Sequence, residues 1–361
     1  MKQYKTFCDY SEQYLSERVY DVAKSTLRSE TSKVKTLNKL IGKHKVADIR
    51  HSDIKQLLVK LHERYSNKTI NDHLTILRAV FLRVFRDGVI ALNPMDGIKN
   101  LSVSRPEPNP FSKDELALLT EYQPSCQSGK NLALLGVLTG LRIGELIALA
   151  WDDINWNKGE LYVRRSRVLN EYKVPKTVGS VRTVELNELA LGILREQLKI
   201  TGSLKSRCKR VLQRDNKQKV KTRLTFVFIN SKTQQPFLNA KQYGKTFFTP
   251  FLKFANVSHR GASQLRHTFA SQCLTAGINK EWIARQMGHT STAMIDEHYG
   301  RWLIDDAPDY ASMVSSHLGT VFAREYDNAN IASSTHTPPL MEVLRAYPEF
   351  LTFLNTLSGG K

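Results

Sequence analysis

Acidic residues are in short supply: 34 Asp and Glu face 53 Lys and Arg, which leaves a formal net charge of +19. An imbalance of that size excludes a neutral surface and points to a polyanionic partner, nucleic acid before any other. Cysteine is scarce too, with Cys8, Cys126, Cys208 and Cys273 far apart and no Cys-x-x-Cys pair. That spacing excludes a disulfide scaffold and a zinc ribbon, so no metal is expected. Together with the lack of a signal-peptide pattern, it predicts a reducing, cytoplasmic location. The longest nearly apolar stretch, Leu132 to Leu138, falls far short of the roughly 20 residues of a membrane helix, so no membrane partner is expected. No nucleotide-binding glycine loop is present, which leaves ATP-driven chemistry without support. What the chain does have is a hydrophobic fraction of 41%, enough for real cores, and a length of 361 residues that suggests two domains with a tail.

The first hundred residues read as helices near 4–17, 24–41, 52–65 and 67–86. Apolar residues recur there at helical spacing, as in Ile54, Leu57, Leu58 and Leu61, then Ile70, Leu74, Leu77, Phe81 and Val84. No run alternates with period two, so residues 1–100 are expected to form a small helical bundle. Residues 1–104 carry 19 basic and 11 acidic side chains, 19 − 11 = +8, which fits a module that grips DNA. From Asn93-Pro94 to Pro110 four prolines break any periodicity, and residues 101–110 are expected to be an extended linker. Ser112-Lys113-Asp114-Glu115 then fits a capping box ahead of Leu116-Ala117-Leu118-Leu119, so a second domain, 111–316, is expected to start there.

That second domain reads as helices at Asn131–Leu138 and Arg142–Ala150, then strands at Glu160–Val168 and Arg182–Leu186 separated by a polar turn holding Lys176 and Gly179-Ser180. A helix over Glu188–Leu198 follows. Lys205 to Arg223 holds nine Lys and Arg against the single acid Asp215, and admits two readings, a solvated loop or a DNA-contacting insertion. Helices return after residue 240 and run through Tyr299. Residues 317–361 read as a tail with a loose connector at Ala332–Pro339 and an amphipathic segment, Leu340–Leu354.

Three segments combine basic or nucleophilic side chains with sharp turns. In Thr139-Gly140-Leu141-Arg142-Ile143-Gly144-Glu145-Leu146, a glycine turn leads into a helix whose first turn presents Arg142, with Glu145 one turn on. An arginine at a helix N-terminus opposes the helix dipole and needs an anion or Glu145 beside it. Ser263-Gln264-Leu265-Arg266-His267-Thr268-Phe269-Ala270-Ser271 starts another helix with an arginine, and Met287-Gly288-His289 precedes Tyr299 by 299 − 289 = 10 residues from its histidine. Taken singly, each has a bland alternative in a structural salt bridge or a core histidine.

In this order, the segments resemble the tyrosine recombinase (phage integrase) family, and Pro175-Lys176-Thr177-Val178-Gly179-Ser180-Val181-Arg182-Thr183-Val184 is similar to its hairpin lysine motif. The resemblance spans about Phe111 to Tyr299 and implies a mainly α fold with a small β-sheet. A helical core-binding domain would precede a mixed α/β catalytic domain. It further implies a site-specific recombinase that cleaves and rejoins double-stranded DNA at attachment-type sites through a 3′-phosphotyrosine and a Holliday junction. Such an enzyme works as a homotetramer without cofactor or external energy, with a host bending factor or an excisionase as further partners. Carried onto this chain, the nucleophile is Tyr299, Arg142 and Arg266 bind the phosphate, Lys176 protonates the 5′-oxygen, and His289 donates to the phosphate or manages the proton of Tyr299.

The chemistry agrees: two guanidinium forks stabilise charge growing on nonbridging oxygens, and a cationic pocket is expected to favour the phenolate of a tyrosine. Glu145 is expected to orient the basic groups. Ser263 stands where many members have a histidine three residues before the second arginine, and serine cannot act as a base near neutral pH. His259 and His267 are the nearest candidate substitutes, with packing or capping the simpler role for His267. Many integrases carry an arm-binding domain before the core-binding domain, whereas here helices start almost at Met1, so either no arm sites are used or a preceding piece is missing. Two alternatives remain at this point: a non-catalytic DNA-binding relative, supported only by Ser263, and an Xer-like resolvase, against which the basic insertion and the tail both argue. Trp302 and Leu340–Leu354 are candidates for assembly contacts.

Overall fold

A computed structural model describes residues 5–104, 107–175, 181–304, 311–316 and 318–319. The chain forms two compact units, Met1–Asp306 and Ala307–Lys361. Of the second, residues 311–316 are helical with exposed side chains. Lys176, the Ala332–Pro339 connector, Leu340–Leu354 and the side chain of Trp302 lie outside the described residues.

The first unit opens with four helices, α1 (Phe7–Asp21), α2 (Lys24–Ile41), α3 (His51–His62) and α4 (Asn67–Arg86). α2 and α4 occupy the spans that periodicity predicts. α1 starts three residues later than expected because Thr6 and Asp9 close a reciprocal cap: the Asp9 carboxylate accepts from the Thr6 N–H at 2.7 Å and the Thr6 hydroxyl from the Asp9 N–H at 3.3 Å. All nine of the periodic residues from Ile54 to Val84 are buried in one apolar cluster with Phe7, Val34 and Leu37. Met95 and Ile98 join that cluster, so the proline-marked stretch begins as part of the bundle. Asn71 then holds Leu101 with a pair of hydrogen bonds at 2.8 and 2.9 Å, and Arg78 donates to the Ile98 carbonyl at 2.9 Å.

A second apolar cluster is built around α5 (Lys113–Glu121), α6 (Gln127–Thr139), α7 (Ile143–Ile147) and α8 (Glu188–Thr201). The expected capping box is present, with the Glu115 carboxylate accepting from the Ser112 N–H at 2.9 Å and the Ser112 hydroxyl accepting from the Glu115 N–H at 3.2 Å. Short strands follow α7: β1 (Ile154–Asn155), β2 (Glu160–Tyr162), β3 (Ser166–Val168), β4 (Glu171–Lys173) and β5 (Thr183–Glu185). The expected single strand over Glu160–Val168 is two, in different sheets. β1, β2 and β5 form one antiparallel sheet with Leu161 opposite Val184, while β3 and β4 form a hairpin in another. The break falls at Arg165, whose guanidinium is buried in a bidentate pair with Asp153 at 2.7 and 2.9 Å.

The basic run is a β-hairpin rather than a loop. β6 (Arg207–Leu212) and β7 (Lys219–Leu224) pair antiparallel, and β6 adds to β4 in parallel to give the order β3-β4-β6-β7. Alternation decides this: Val211 and Leu224 share one face and pack inward with Tyr172 and Phe226, while Arg210, Lys221 and Arg223 on the opposite face stay exposed. Glu171 on β4 bridges Lys219 of the hairpin at 3.1 Å and Lys24 of α2 at 2.7 Å.

The remaining helices are α9 (Ala240–Tyr243), α10 (Thr249–Phe254), which a π-helical turn over Gly244–Phe248 joins to α9, and then α11 (Gln264–Thr275), α12 (Lys280–Met287) and α13 (Ala293–Ile304). Phe111 enters the second core, and its N–H donates to Thr268 on α11 at 2.9 Å. A smaller apolar cluster of Phe269, Leu274, Ile283, Met287, Ile295 and Tyr299 locks α11, α12 and α13 together. No helix among the described residues is long and apolar enough to cross a membrane.

Candidate active site

A cavity of about 650 Å³ opens where α7, α9, α11 and α13 converge, and Arg142, Ser263, Arg266, His267, His289 and Tyr299 are among its lining residues. Two left-handed glycines end the helices that lead into its lining. Gly140 ends α6 at φ 64° and Gly288 ends α12 at φ 72°, conformations that a side chain would strain. A Cβ on Gly140 would also lie 2.5 Å from the Phe269 ring, and one on Gly288 would lie 2.8 Å from Arg182.

Because α6 ends at Gly140, the chain turns and Arg142 becomes the N-cap residue of α7, one position before the helix in which it was expected. Glu145 answers the dipole conflict: its carboxylate accepts from the Arg142 N–H at 3.0 Å and from the Arg142 guanidinium at 3.0 Å. The Arg142 side chain is 45% exposed while Glu145 is 5% exposed, so the carboxylate lies beneath and the guanidinium faces the cavity.

A second arginine completes this layer, and sequence reasoning assigned it no role. Arg182, just ahead of β5, donates through Nη2 and Nη1 to the two oxygens of Glu145 at 3.0 and 3.3 Å, and through Nε to the Gln286 carbonyl at 2.6 Å. It lies inside the quoted Pro175–Val184 segment, and its only sequence signal is a cation flanking a strand beside Val184. Burial pushes the Glu145 carboxyl up, but attraction to Arg182 and then Arg142, with their hydrogen bonds, outweighs it and holds the pKa below the usual carboxylate value.

Arg266, in the first turn of α11, donates to the Gly140 carbonyl at 2.6 Å and to the Met287 carbonyl at 2.8 Å, and meets His289 Nε2 at 2.8 Å. An arginine only donates, so Nε2 of His289 accepts and the imidazole proton sits on Nδ1. Donation from Nε2 to a phosphate therefore requires this contact to exchange. Burial, with Arg142 and Arg182 nearby, pushes the Arg266 guanidinium down to about 9, and it remains charged at neutral pH.

Tyr299 is 2% exposed. Its hydroxyl is hydrogen-bonded to Nδ1 of His267, the residue after Arg266 on α11. His267 was expected to pack or cap. Instead it lines the cavity, because α11 meets α13 along the face that carries it. The expected phenolate-favouring pocket is also corrected: burial pushes Tyr299 up to about 12, and the nearby Arg266 offsets this only in part. Ser263 caps α11 at the rim without a side-chain capping bond. His259 points elsewhere, to the Thr249 hydroxyl at 3.2 Å.

The expected lysine hairpin falls on residues 176–180, outside the described residues; the strands before and after them, β4 and β5, belong to separate sheets. Among the described residues no group of three or more His, Cys, Asp or Glu side chains is arranged to hold a metal ion.

The sequence profile of the phage integrase family matches residues 111–302. Prophage integrase IntR of Escherichia coli (strain K12) is 33% identical over 334 residues, covering 87% of this chain and 80% of that protein. In fold, the chain is similar to the Tn1549 transposon integrase in complex with transposon right end DNA, with a TM-score of 0.69 at 22% identity over 87% of this chain and 99% of that one. It is also similar to a lambda integrase tetramer bound to a Holliday junction, with a TM-score of 0.61 at 18% identity over 85% of this chain and 80% of that one.

Proposed function

The chain belongs to the phage integrase family of tyrosine recombinases and is a site-specific recombinase, and from that premise we propose that it is the integrase of a phage or other mobile element. It cuts and rejoins double-stranded DNA at attachment-type sites. The observation that carries the reading is the convergence of Arg142, Arg266, His289 and Tyr299 on one cavity. Arg142 and Arg266 take the nonbridging oxygens of the scissile phosphate as guanidinium forks, where they stabilise the charge that grows in the transition state. Tyr299 attacks phosphorus to form a 3′-phosphotyrosine. The bond to the 5′-oxygen breaks with its electron pair, and Lys176 protonates that oxygen. Glu145, held beneath by Arg182, keeps Arg142 in place, His289 positions Arg266, and Ser263 donates one hydrogen bond at the rim. The phosphotyrosyl ester conserves the bond energy, so religation in a Holliday-junction cycle needs no nucleotide.

On this reading residues 1–100 and 111–316 grip one half-site, joined by 101–110, and four protomers assemble on DNA through contacts that include the 317–361 tail. An accessory bending factor or excisionase acts with them, in the cytoplasm at the nucleoid. The non-catalytic alternative rests on Ser263 alone and leaves the paired arginines and the buried tyrosine without a purpose. A nicked substrate that traps the covalent product separates the two. The natural chain is expected to form an adduct on its cognate site, and a chain that shifts the site in a gel yet forms none overturns the enzyme reading. Tyr299→Phe is expected to shift the site as well as the natural chain and to form no adduct; an adduct in that variant identifies another nucleophile.

A further inference from the structure

Attack by Tyr299 requires loss of its phenolic proton, and Ser263, at the position where a histidine is common in the family, cannot accept it near neutral pH. We propose that His267 is the proton acceptor for Tyr299, taking the phenolic proton on Nδ1 as the oxygen attacks phosphorus and returning it when the strand is religated. This rests on the recombinase reading above.

The geometry is direct. Tyr299 Oη and His267 Nδ1 are hydrogen-bonded, and the two rings lie 5.5 Å apart between centroids, inclined at 42°. Arg266 and His267 are successive residues, so one turn of α11 delivers the guanidinium and the imidazole to the same cavity. With the phenol as donor, Nδ1 carries the lone pair and the ring proton sits on Nε2. The charged or titratable groups that share the cavity with His267 are Arg142, Lys241, Arg266, His289 and Tyr299, with no carboxylate among the described lining residues. The acceptor form of the ring is the neutral imidazole. A phosphate seated on Arg142 and Arg266 offsets their charge and lets the imidazolium form. The proton moves from Oη to Nδ1, the Oη–P bond forms from the freed pair, the P–O5′ bond breaks onto oxygen, and Lys176 protonates O5′. The raised pKa of Tyr299 makes a base more necessary, since spontaneous ionisation near pH 7 is rare.

The test is single-turnover adduct formation on the nicked cognate site from pH 5.5 to 9.5, with the natural chain and with His267→Asn. The asparagine amide oxygen can accept the phenolic hydrogen bond near the place of Nδ1 but cannot take the proton. The natural chain is expected to rise with pH as the imidazole loses its proton and then to level. His267→Asn is expected to bind DNA equally, to cleave about 10²–10⁴-fold more slowly at pH 7, and to keep rising into the alkaline range. Difluorotyrosine at position 299, a more acidic phenol, should rescue the variant more than it accelerates the natural chain. An unchanged rate and profile in His267→Asn overturns the proposal. If the variant fails to bind DNA, nitrogen-15 spectra of the natural chain decide instead: the Nε2–H tautomer is expected at pH 8, and a ring that keeps its proton on Nδ1 overturns the proposal. A natural chain that forms no adduct at all overturns the recombinase reading, which is a different failure.

Discussion

Two basic regions of this protein handle charge in opposite ways. Around the cavity, Arg142, Arg182 and Arg266 are held by a buried carboxylate, by backbone carbonyls and by His289, and two of the three are largely out of water. On the β6–β7 hairpin, Arg210, Arg214, Lys217, Lys221 and Arg223 are exposed to solvent. A held guanidinium has already lost its freedom and its hydration, so it can stabilise a transition state without reorganising. A solvated lysine has lost neither, and contributes to association through released counterions instead. On the proposed function, the same residue types therefore serve chemistry in one place and affinity in the other.

The sharpest way to break the contrast is at Arg266. Arg266→Lys keeps a charge but loses the fork and the simultaneous grip on Gly140, Met287 and His289; cleavage at saturating DNA is expected to fall about 10²–10³-fold, measured as single-turnover adduct formation. A fall of less than tenfold would mean that charge alone suffices there. Next comes Glu145→Gln, which leaves two guanidinium groups facing a neutral amide. Urea unfolding is expected to show a loss of about 3–5 kcal/mol. Glu145 has a depressed folded pKa, so its contribution is fully present above the unfolded value of about 4.3 and is lost as pH falls through the lower folded one. The variant should therefore lose stability less steeply than the natural chain on acidification; equally steep acid limbs would remove Glu145 from that role. The smallest effect is expected on the hairpin, where Arg210, Lys221 and Arg223 changed together to Ala should lower DNA affinity and flatten its salt dependence, by roughly 0.9 in logarithmic slope for each phosphate that is no longer neutralised. Cleavage of bound DNA should stay unchanged, and a slower chemical step would show that the hairpin reaches into the site.

Much of the helical framework was legible in the residues. α2 and α4 follow from apolar spacing because each buries one continuous stripe, and the Ser112 capping box follows because its partners are three residues apart. Strand partition was not legible. Glu160–Val168 reads as one strand, yet the buried Arg165–Asp153 pair splits it between sheets, and that pair joins residues 12 apart through side chains that no local period encodes. The hairpin at 207–224 was obscured by its own charge, since exposed lysines and arginines swamp the inward-facing Val211 and Leu224.

For the site, the sequence by itself determined the order and identity of Arg142, Arg266, His289 and Tyr299, because each sits in a short segment whose glycine turns and helix starts are local. Only the tertiary structure decided that Arg182 shares Glu145 with Arg142 from 37 residues away, that His289 accepts from Arg266, and that His267 faces Tyr299. The first pairing joins α7 to the approach of β5 and the other two arise from the way α11, α12 and α13 pack, where burial also raises the pKa of Tyr299. Such contacts depend on distances between helices, which a one-dimensional pattern does not contain.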